Sequence, residues 1–471
     1  MRWRPSSRVV TLAAASVLAT ACALKDPPDR TEFYGQALPG VQMPGNWAAP
    51  ATAGAVLEPW LASFQDPRLE ALVGEALAYN PDLKVAAARV EQATAVLKAA
   101  GAELGPSVSA FGKGGGKLGG DFTGTSGVLL RATWELDVWG RLRYGRRAAE
   151  ETYLSTEVDL AGARQSLAAM VAKSWFLAIE SRQQREIARQ MVVDSEKSVA
   201  LAQDRLRIGA GNELDVTLAK QTLQTARDSA NQIDLAYQDA LRAIEVLVGR
   251  YPAAQLDPAQ SFDPLADAVP AGLPSELLER RLDVQAAEHR IASAFSQVEE
   301  ARAAKLPTLT LSGGLSHISS DLFVLDKRDD IVKSIGGTVY LPIFDGGYLT
   351  AQVEARTAQQ HQAVAQWAQT GLKAFSEVES ALAREASLQE REPILATQLE
   401  LSQRALELEQ VRYRVGSADM RSVLQQQMAT YGVRTALLRV QSERRVQRVN
   451  LYLALGGDFG VDAALASNAS R

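Results

Sequence analysis

The stretch Arg205-Leu206-Arg207-Ile208-Gly209 returns as Arg412-Tyr413-Arg414-Val415-Gly416, 207 residues later. Before each copy lies a long run of helix-forming residues with few breakers. After each comes a second helical run of about 35 residues, ending at Leu247-Val248-Gly249 and Ala454-Leu455-Gly456. Glycine just past a periodic run stops a helix, because it adopts the left-handed conformation at no steric cost. Each phrase therefore reads as the tip of a long helical hairpin. Two such hairpins in one chain make an internal repeat.

Working outward, Asn80 to Gly112 aligns without gaps on Arg281 to Gly313 at an offset of 201, with Arg89 on Arg290 and Pro106 on Pro307. From the tips onward the offset is 207, so about six extra residues fall after Gly313 in the second copy, where a loop tolerates them. Each copy has the same grammar. A helix (80–104, 280–304) stops before a proline, whose ring disfavours helix in the residue ahead of it. Two short strands follow, then a helix of about 70 residues (139–208, 346–415), the tip and the return helix. The long helix would reach about 100 Å, and the short and return helices laid end to end about 90 Å. No ordinary globular fold demands that length match.

The strands carry a period of two. Leu130, Ala132, Trp134 and Leu136 fall on one face, and Arg131, Thr133, Glu135 and Asp137 on the other. Val339, Leu341 and Ile343 repeat the apolar face, and Leu309 and Leu311 alternate with Thr308, Thr310 and Ser312. One apolar and one polar face fits a sheet on a core, or a barrel with lipid outside and water inside. The strands alone favour the first. The export signal and the lack of any segment to cover them favour the barrel. Four strands cannot close one; three chains would supply twelve.

In the first long helix Tyr153, Leu160 and Leu167 fall seven apart, and Val171, Trp175 and Ile179 continue the stripe, which reads as helix-on-helix core. Pro393 in the second long helix is expected to kink it or force a local irregularity.

The start of the chain reads as an export signal over 1–21: Arg2, Arg4 and Arg8, an apolar run from Val9 to Ala19, then small residues. That run is too short to span a bilayer as a helix. Ala19-Thr20-Ala21 suits ordinary cleavage, whereas Cys22 directly after it fits a lipoprotein junction, with Ala19 where leucine is usual. Cys22 is the sole cysteine, so no internal disulfide is possible. Lipidation at Cys22 is the expectation, with 22–57, rich in Pro, Gly and Ala, an extended lead-in with little core of its own.

Net charge is -5, and removing the three signal arginines leaves -8, which argues against nucleic acid. The histidines, His289, His317 and His361, lie in different kinds of segment, and no metalloprotease, nucleophile-elbow or phosphate-loop motif stands out. Gly112 to Gly120 joins two strands and reads as a loop. No enzyme, metal or cofactor is expected.

At these residues the chain resembles the TolC family of outer-membrane factors, and more closely its efflux lipoproteins of the OprM and NodT type. The resemblance spans Trp60 to Gly457. It rests on the Cys22 junction, the duplicated layout, the paired R-x-R-x-G tips, Glu135-Leu136-Asp137-Val138-Trp139-Gly140-Arg141, and Pro342-Ile343-Phe344-Asp345-Gly346-Gly347. It implies a mainly α fold with a β-barrel: a homotrimer with a shared 12-stranded barrel in the outer membrane above an α-helical periplasmic tunnel. The domains would be two repeats, 58–264 and 265–457, with a tail at 458–471. Implied partners are a periplasmic adaptor, an inner-membrane transporter of the resistance-nodulation-division class, and outer-membrane lipid.

The resemblance also implies the function, a passive exit duct for drugs or other small solutes. A type I protein-secretion duct and a poreless lipid-anchored coiled-coil scaffold are the alternatives. The tips Gly209, Ala210, Gly211, Asn212 and Gly416, Ser417, Ala418, Asp419 would meet the adaptor. Gate candidates are Arg412 before the second tip, and Arg421, Gln425 and Met428 on one face of its return helix. Gln425 stands where relatives commonly place an acidic residue. Arg412 is expected to pair with Asp204, Asp215 or Asp419 on a neighbouring helix.

Overall fold

The computed structural model describes residues 24–41, 44–52, 54, 59–113, 125–265, 269–320 and 332–457. The export signal, Cys22, the glycine-rich run beyond Lys113 and the tail 458–471 lie outside the described residues. In chain order the elements begin with α1 (Arg30–Ala37), a single 3-10 turn (Leu61–Phe64), α2 (Pro67–Tyr79), α3 (Pro81–Ala102), β1 (Ser107–Lys113) and β2 (Thr125–Leu136). Then come α4 (Arg141–Arg207), α5 (Glu213–Leu247), α6 (Pro274–Arg280) and α7 (Leu282–Ala303). The last are β3 (Thr308–Ser320), β4 (Val332–Tyr340), α8 (Tyr348–Arg414) and α9 (Met420–Ala454). Both long helices have 67 residues, and α8 runs through Pro393 without a break.

Two compact units form, and each draws on both repeats: Met1–Val41 with Ala87–Asp159 and Asp283–Thr370, and Gln42–Ala86 with Leu160–Leu282 and Gly371–Arg471. The first unit holds one antiparallel sheet in the order β1-β2-β3-β4. Its register sets Ser107 opposite Thr133, Leu136 opposite Leu309, and Thr308 opposite Tyr340. The two central strands have 12 and 13 residues, longer than expected, and enough to cross a bilayer when tilted. β4 ends at Tyr340, so Leu341 and Ile343 lie beyond it rather than in the strand. Pro342 has no N–H to donate to a ladder. Among the described residues the outer edges of β1 and β4 have no strand beside them.

The lead-in is better fastened than its composition implied. In the first unit α1 sets Phe33 edge-on against Trp367, with ring centroids 4.9 Å apart, and the Lys25 amide donates to the Tyr144 hydroxyl at 2.7 Å. In the second unit the Trp47 indole donates to the carbonyls of Ala271 and Gly272, and the amides of Ala48 and Ala49 donate to the Glu379 carboxylate at 2.8 Å each. Aromatic residues there are buried in the core of the folded helices, not in a core of their own.

The second unit is helical. The predicted stripe is buried at Leu167, Val171, Trp175 and Ile179. It packs on more than helix: Trp60 and Phe64 of the 3-10 turn and Tyr452 of α9 share the same core, with Trp60 stacked on Tyr452 at 5.7 Å. Asp66 fixes this corner by capping α2 through the amides of Arg68 and Leu69 while accepting the Trp175 indole N–H at 2.6 Å.

The repeat reappears in the way helix ends are closed. The Asn80 side-chain Nδ2 donates to the Leu247 carbonyl at 2.9 Å, and the guanidinium of Arg281, its aligned partner, donates to the Ala454 carbonyl at 3.1 Å. Beside them, a Cβ on Gly249 would lie 3.0 Å from the Tyr79 carbonyl oxygen, and one on Gly456 would lie 3.1 Å from that of Arg280. Equivalent positions at the two offsets thus meet in equivalent contacts.

Candidate functional site at the hairpin tips

Both tips lie in the second unit and share one backbone solution. Gly209 and Gly416 take φ of 75° and 85°. The amide of Ala210 reaches back to the Arg205 carbonyl, and that of Ser417 to the Arg412 carbonyl, each at 2.9 Å. This is the Schellman closure, which satisfies carbonyls left over at a helix end. The return helices are capped in parallel. Asn212 accepts from the Asp215 amide at 2.8 Å, and Asp419 accepts from the Ser422 amide at 2.8 Å and the Ser422 hydroxyl at 2.7 Å. Those two donors hold the exposed Asp419 carboxyl below its ordinary value.

The side chains break the symmetry. The Arg205 guanidinium lies 4.6 Å over the Tyr413 ring and donates to the carbonyls of Tyr413, Arg414 and Ala210. A cation is favourable there, because the last carbonyls of a helix carry its negative end. Tyr413 is buried at 1% exposure among Ala202, Val216, Met420 and Val423, and its hydroxyl donates to the buried Asp215 carboxylate at 3.2 Å. Burial, then the Asp215 charge and hydrogen bond, push the phenol up to about 12, so it stays a donor. Arg205, Tyr413 and Asp215 thus join the first hairpin to the second.

Arg412 does not take the expected partner within the chain. It pairs with Glu409, one turn back on its own helix, at 2.6 Å, and reaches the Ser417 carbonyl at 3.5 Å. The three carboxylates proposed for it have other partners: Asp204 holds Arg207, Asp215 holds Tyr413 and Asp419 caps α9. An exposed arginine finds the nearest acceptor one turn away at little entropic cost. The other gate candidates do come together. Arg421, Gln425 and Met428 line a groove of about 520 Å³, whose opposite wall is Gln221, Thr222 and Thr225 of α5.

A second cross-hairpin link lies further up, where the Tyr431 hydroxyl donates to Asp194 at 2.6 Å. Burial raises the Asp194 pKa, but hydrogen bonds from Tyr431, Lys197 and Gln190 outweigh it and hold the carboxyl below its ordinary value. Sequence reasoning missed Arg205, Tyr413, Asp194 and Tyr431 as linked residues. The one signal available was that Tyr413 breaks the repeat, where the first tip has Leu206. Among the described residues no group of His, Cys, Asp or Glu is arranged to hold a metal, and no helix is long and apolar enough to cross a membrane.

The sequence profile described as "Outer membrane efflux protein" matches residues 72–250 and 273–457, covering both repeats. The cation efflux system protein CusC of Escherichia coli O6:H1 is 31% identical over 411 residues, spanning 85% of this chain and 88% of that one. The pyoverdine export outer membrane protein OpmQ of Pseudomonas aeruginosa is 31% identical over 441 residues, 90% and 93% of the two chains. Among solved structures, the outer-membrane channel OprN superposes with a TM-score of 0.80 at 28% identity, over 89% of this chain and 99% of its own. A CusC structure gives 0.78 at 28% identity, over 92% and 99%.

Proposed function

This chain belongs to the outer membrane efflux protein family, and from that premise we propose that it is the outer-membrane exit duct of a tripartite efflux system. The observation that carries the reading is the family match over both repeats, joined to a TolC-like fold in whose four-stranded sheet β1 and β4 form the two edges among the described residues. Three chains placing β4 beside β1 of the next would close twelve strands in the outer membrane, with no edge left open. The helices continue the path into the periplasm. No chemistry is performed; an inner-membrane transporter of the resistance-nodulation-division class supplies the energy through a periplasmic adaptor.

The tips are the part of this chain that meets the adaptor, and Arg421, Gln425 and Met428 lie where the path narrows. Relatives named for cation efflux, pyoverdine export and toluene efflux all share about 30% identity with this chain. Cargoes so different on one scaffold support a duct that selects little, with specificity in the pump. Cys22 is the acylated first residue of the mature chain, which intact-mass analysis of the membrane form tests through the added acyl mass. The duct itself is tested in planar bilayers and by export in a strain lacking its outer-membrane factor. Stable single-channel conductance with restored export is expected; a purified chain that never conducts overturns the reading.

A further inference from the structure

Behind the tips, α4 of the first hairpin and α8 and α9 of the second enclose a cleft of about 320 Å³. Its polar groups come from all three helices: Lys197 and Ser198 from α4, Arg414 from α8 and Gln427 from α9. Leu201, Leu406 and Val423 supply the apolar surface between them. An apolar hollow on which a few polar groups converge is the usual make-up of a small-molecule site.

Two of those polar groups are unspent. Gln427 is 2% exposed, and its oxygen lies 3.3 Å from the Ser198 hydroxyl, yet its Nε2 has no hydrogen-bond partner among the described residues. Buried polar groups are nearly always paired, so a free amide nitrogen in the wall of a cleft marks a place for an acceptor. The second is Arg414. In the first copy the aligned arginine, Arg207, is neutralised by Asp204 three residues back, at 2.7 Å. Val411 stands where that aspartate would be, and the Arg414 guanidinium has no partner among the described residues. Asp194, the carboxylate of this wall, is already met by Lys197 at 2.9 Å, Gln190 at 3.0 Å and the Tyr431 hydroxyl at 2.6 Å. The cleft is left with one uncompensated positive charge beside one unpaired buried donor.

We propose that this cleft binds a small organic anion, a monocarboxylate with a short aliphatic chain. Arg414 takes the carboxylate through two parallel N–H···O bonds, and Gln427 Nε2 donates to one of its oxygens. The aliphatic chain covers Leu201, Leu406 and Val423, which a bare inorganic anion would leave uncovered. Because the walls come from both hairpins, the bound anion ties α4 to α8 and α9 and stabilises their contact by mass action. The cleft belongs to the single chain and needs no pore, so the site stands or falls apart from the duct.

The test is saturation-transfer NMR of hexanoate with the full-length protein in detergent, with empty micelles as the blank. The wild-type protein should bind with a Kd on the order of 1 mM, in keeping with a ligand of so few atoms. Hexanamide has the same shape without the charge and should bind roughly tenfold more weakly; Arg414→Gln should weaken hexanoate to a similar extent. Acetate, with the charge and no chain, should compete poorly. Arg207→Gln, at the aligned position whose arginine is already paired, should bind like wild type. Gln427→Leu should also weaken binding; should it fail to fold, Arg414→Gln at the exposed rim still carries the test. Amide exchange over 198–201 and 423–427 should slow when hexanoate is added to wild type, and not in Arg414→Gln. No signal beyond the micelle blank would leave the cleft to water and overturn the proposal. Equal binding of hexanamide, equal competition by acetate, unweakened binding in Arg414→Gln, or slowed exchange confined to other segments would each overturn it too.

Discussion

The two hairpin tips are built alike in backbone and used differently in side chain. Both close on a glycine with positive φ, both reach back with the same amide, and both start the return helix on an Asx cap. Yet Arg205 spans to the other hairpin while Arg412 stays on its own helix. The backbone repeat therefore fixes where the tips are, and departures from the repeat decide which tip holds the other. Tyr413 in place of Leu206 gives Arg205 a ring to lie on, and Asp215 in place of Ser422 gives the phenol an acceptor.

The largest effect on export is expected where the tips are alike. Gly209→Val or Gly416→Val forces a β-branched residue to positive φ and should strain the turn by on the order of 1–2 kcal/mol. Export should fall by a similar extent in the two variants while trimers still assemble on native gels. Unchanged export in both would remove the tips as the docking surface. A loss confined to one tip would show that the adaptor reads only that tip.

Next comes the asymmetric contact. Tyr413→Phe removes the hydroxyl and leaves the Asp215 carboxylate, 8% exposed, without that donor. The cost should be about 1–3 kcal/mol. Because the contact joins one hairpin to the other, single-channel conductance in the absence of adaptor should rise. Leu206→Phe, at the equivalent and partly exposed position of the first tip, should change neither stability nor conductance appreciably. Equal responses at 206 and 413 would mean that the hydroxyl is not a link.

The paired arginines sharpen the same point. Arg205→Ala loses the ring contact and its bonds to three carbonyls, about 1–2 kcal/mol together once solvent competition is allowed for. Arg412→Ala loses an exposed pair one turn apart, for which 0–1 kcal/mol is usual, roughly. Chemical denaturation of the two variants should rank them in that order, and conductance should follow. The reverse ranking would favour Arg412 as the gate residue, through a contact with another chain.

What sequence reading reached and what it missed divide along the same line. Helix ends at Pro81, Ala102, Ala303 and Arg414 fell within about two residues of expectation, because proline, glycine and Asx caps act locally on the backbone. The stripe through Trp175 was readable because burial follows helical period. The partners of Arg205, Arg412 and Tyr413 were not, since each choice depends on which of several nearby acceptors the fold brings closest. The end of β4 was misplaced for a related reason. The apolar alternation continues to Ile343, but Pro342 cannot donate and the strand ends at Tyr340. The α1 helix was lost in a Pro- and Gly-rich average that hid Phe33 and Trp47, whose burial sites lie hundreds of residues away in sequence.

The smallest expected effect concerns the caps, where the tips differ by a single titratable group. Asp419 caps the second return helix as a carboxylate, and Asn212 caps the first as a neutral amide. Hydrogen bonds from Ser422 lower the Asp419 pKa from its ordinary 3.8. A depressed folded pKa contributes stability that is fully present above the unfolded value and is lost as pH falls through the folded one. Acid should therefore loosen the second tip and leave the first cap intact, with the change beginning only below about pH 4. Asp419→Asn turns the second cap into a copy of the first, and asparagine caps about as well as aspartate, so stability near neutrality should move by only a few tenths of a kcal/mol, roughly. The difference should appear in acid. Amide exchange of Ser422 and its neighbours, corrected for intrinsic pH dependence, should accelerate in the wild-type chain as pH drops from 5 to about 3, and much less in Asp419→Asn. Exchange at Asp215, behind the Asn212 cap, should respond equally in the two proteins and so reports any general loosening. Matched acid responses at Ser422 in wild type and variant would show that the second tip is held by its contacts to the first hairpin rather than by its own cap.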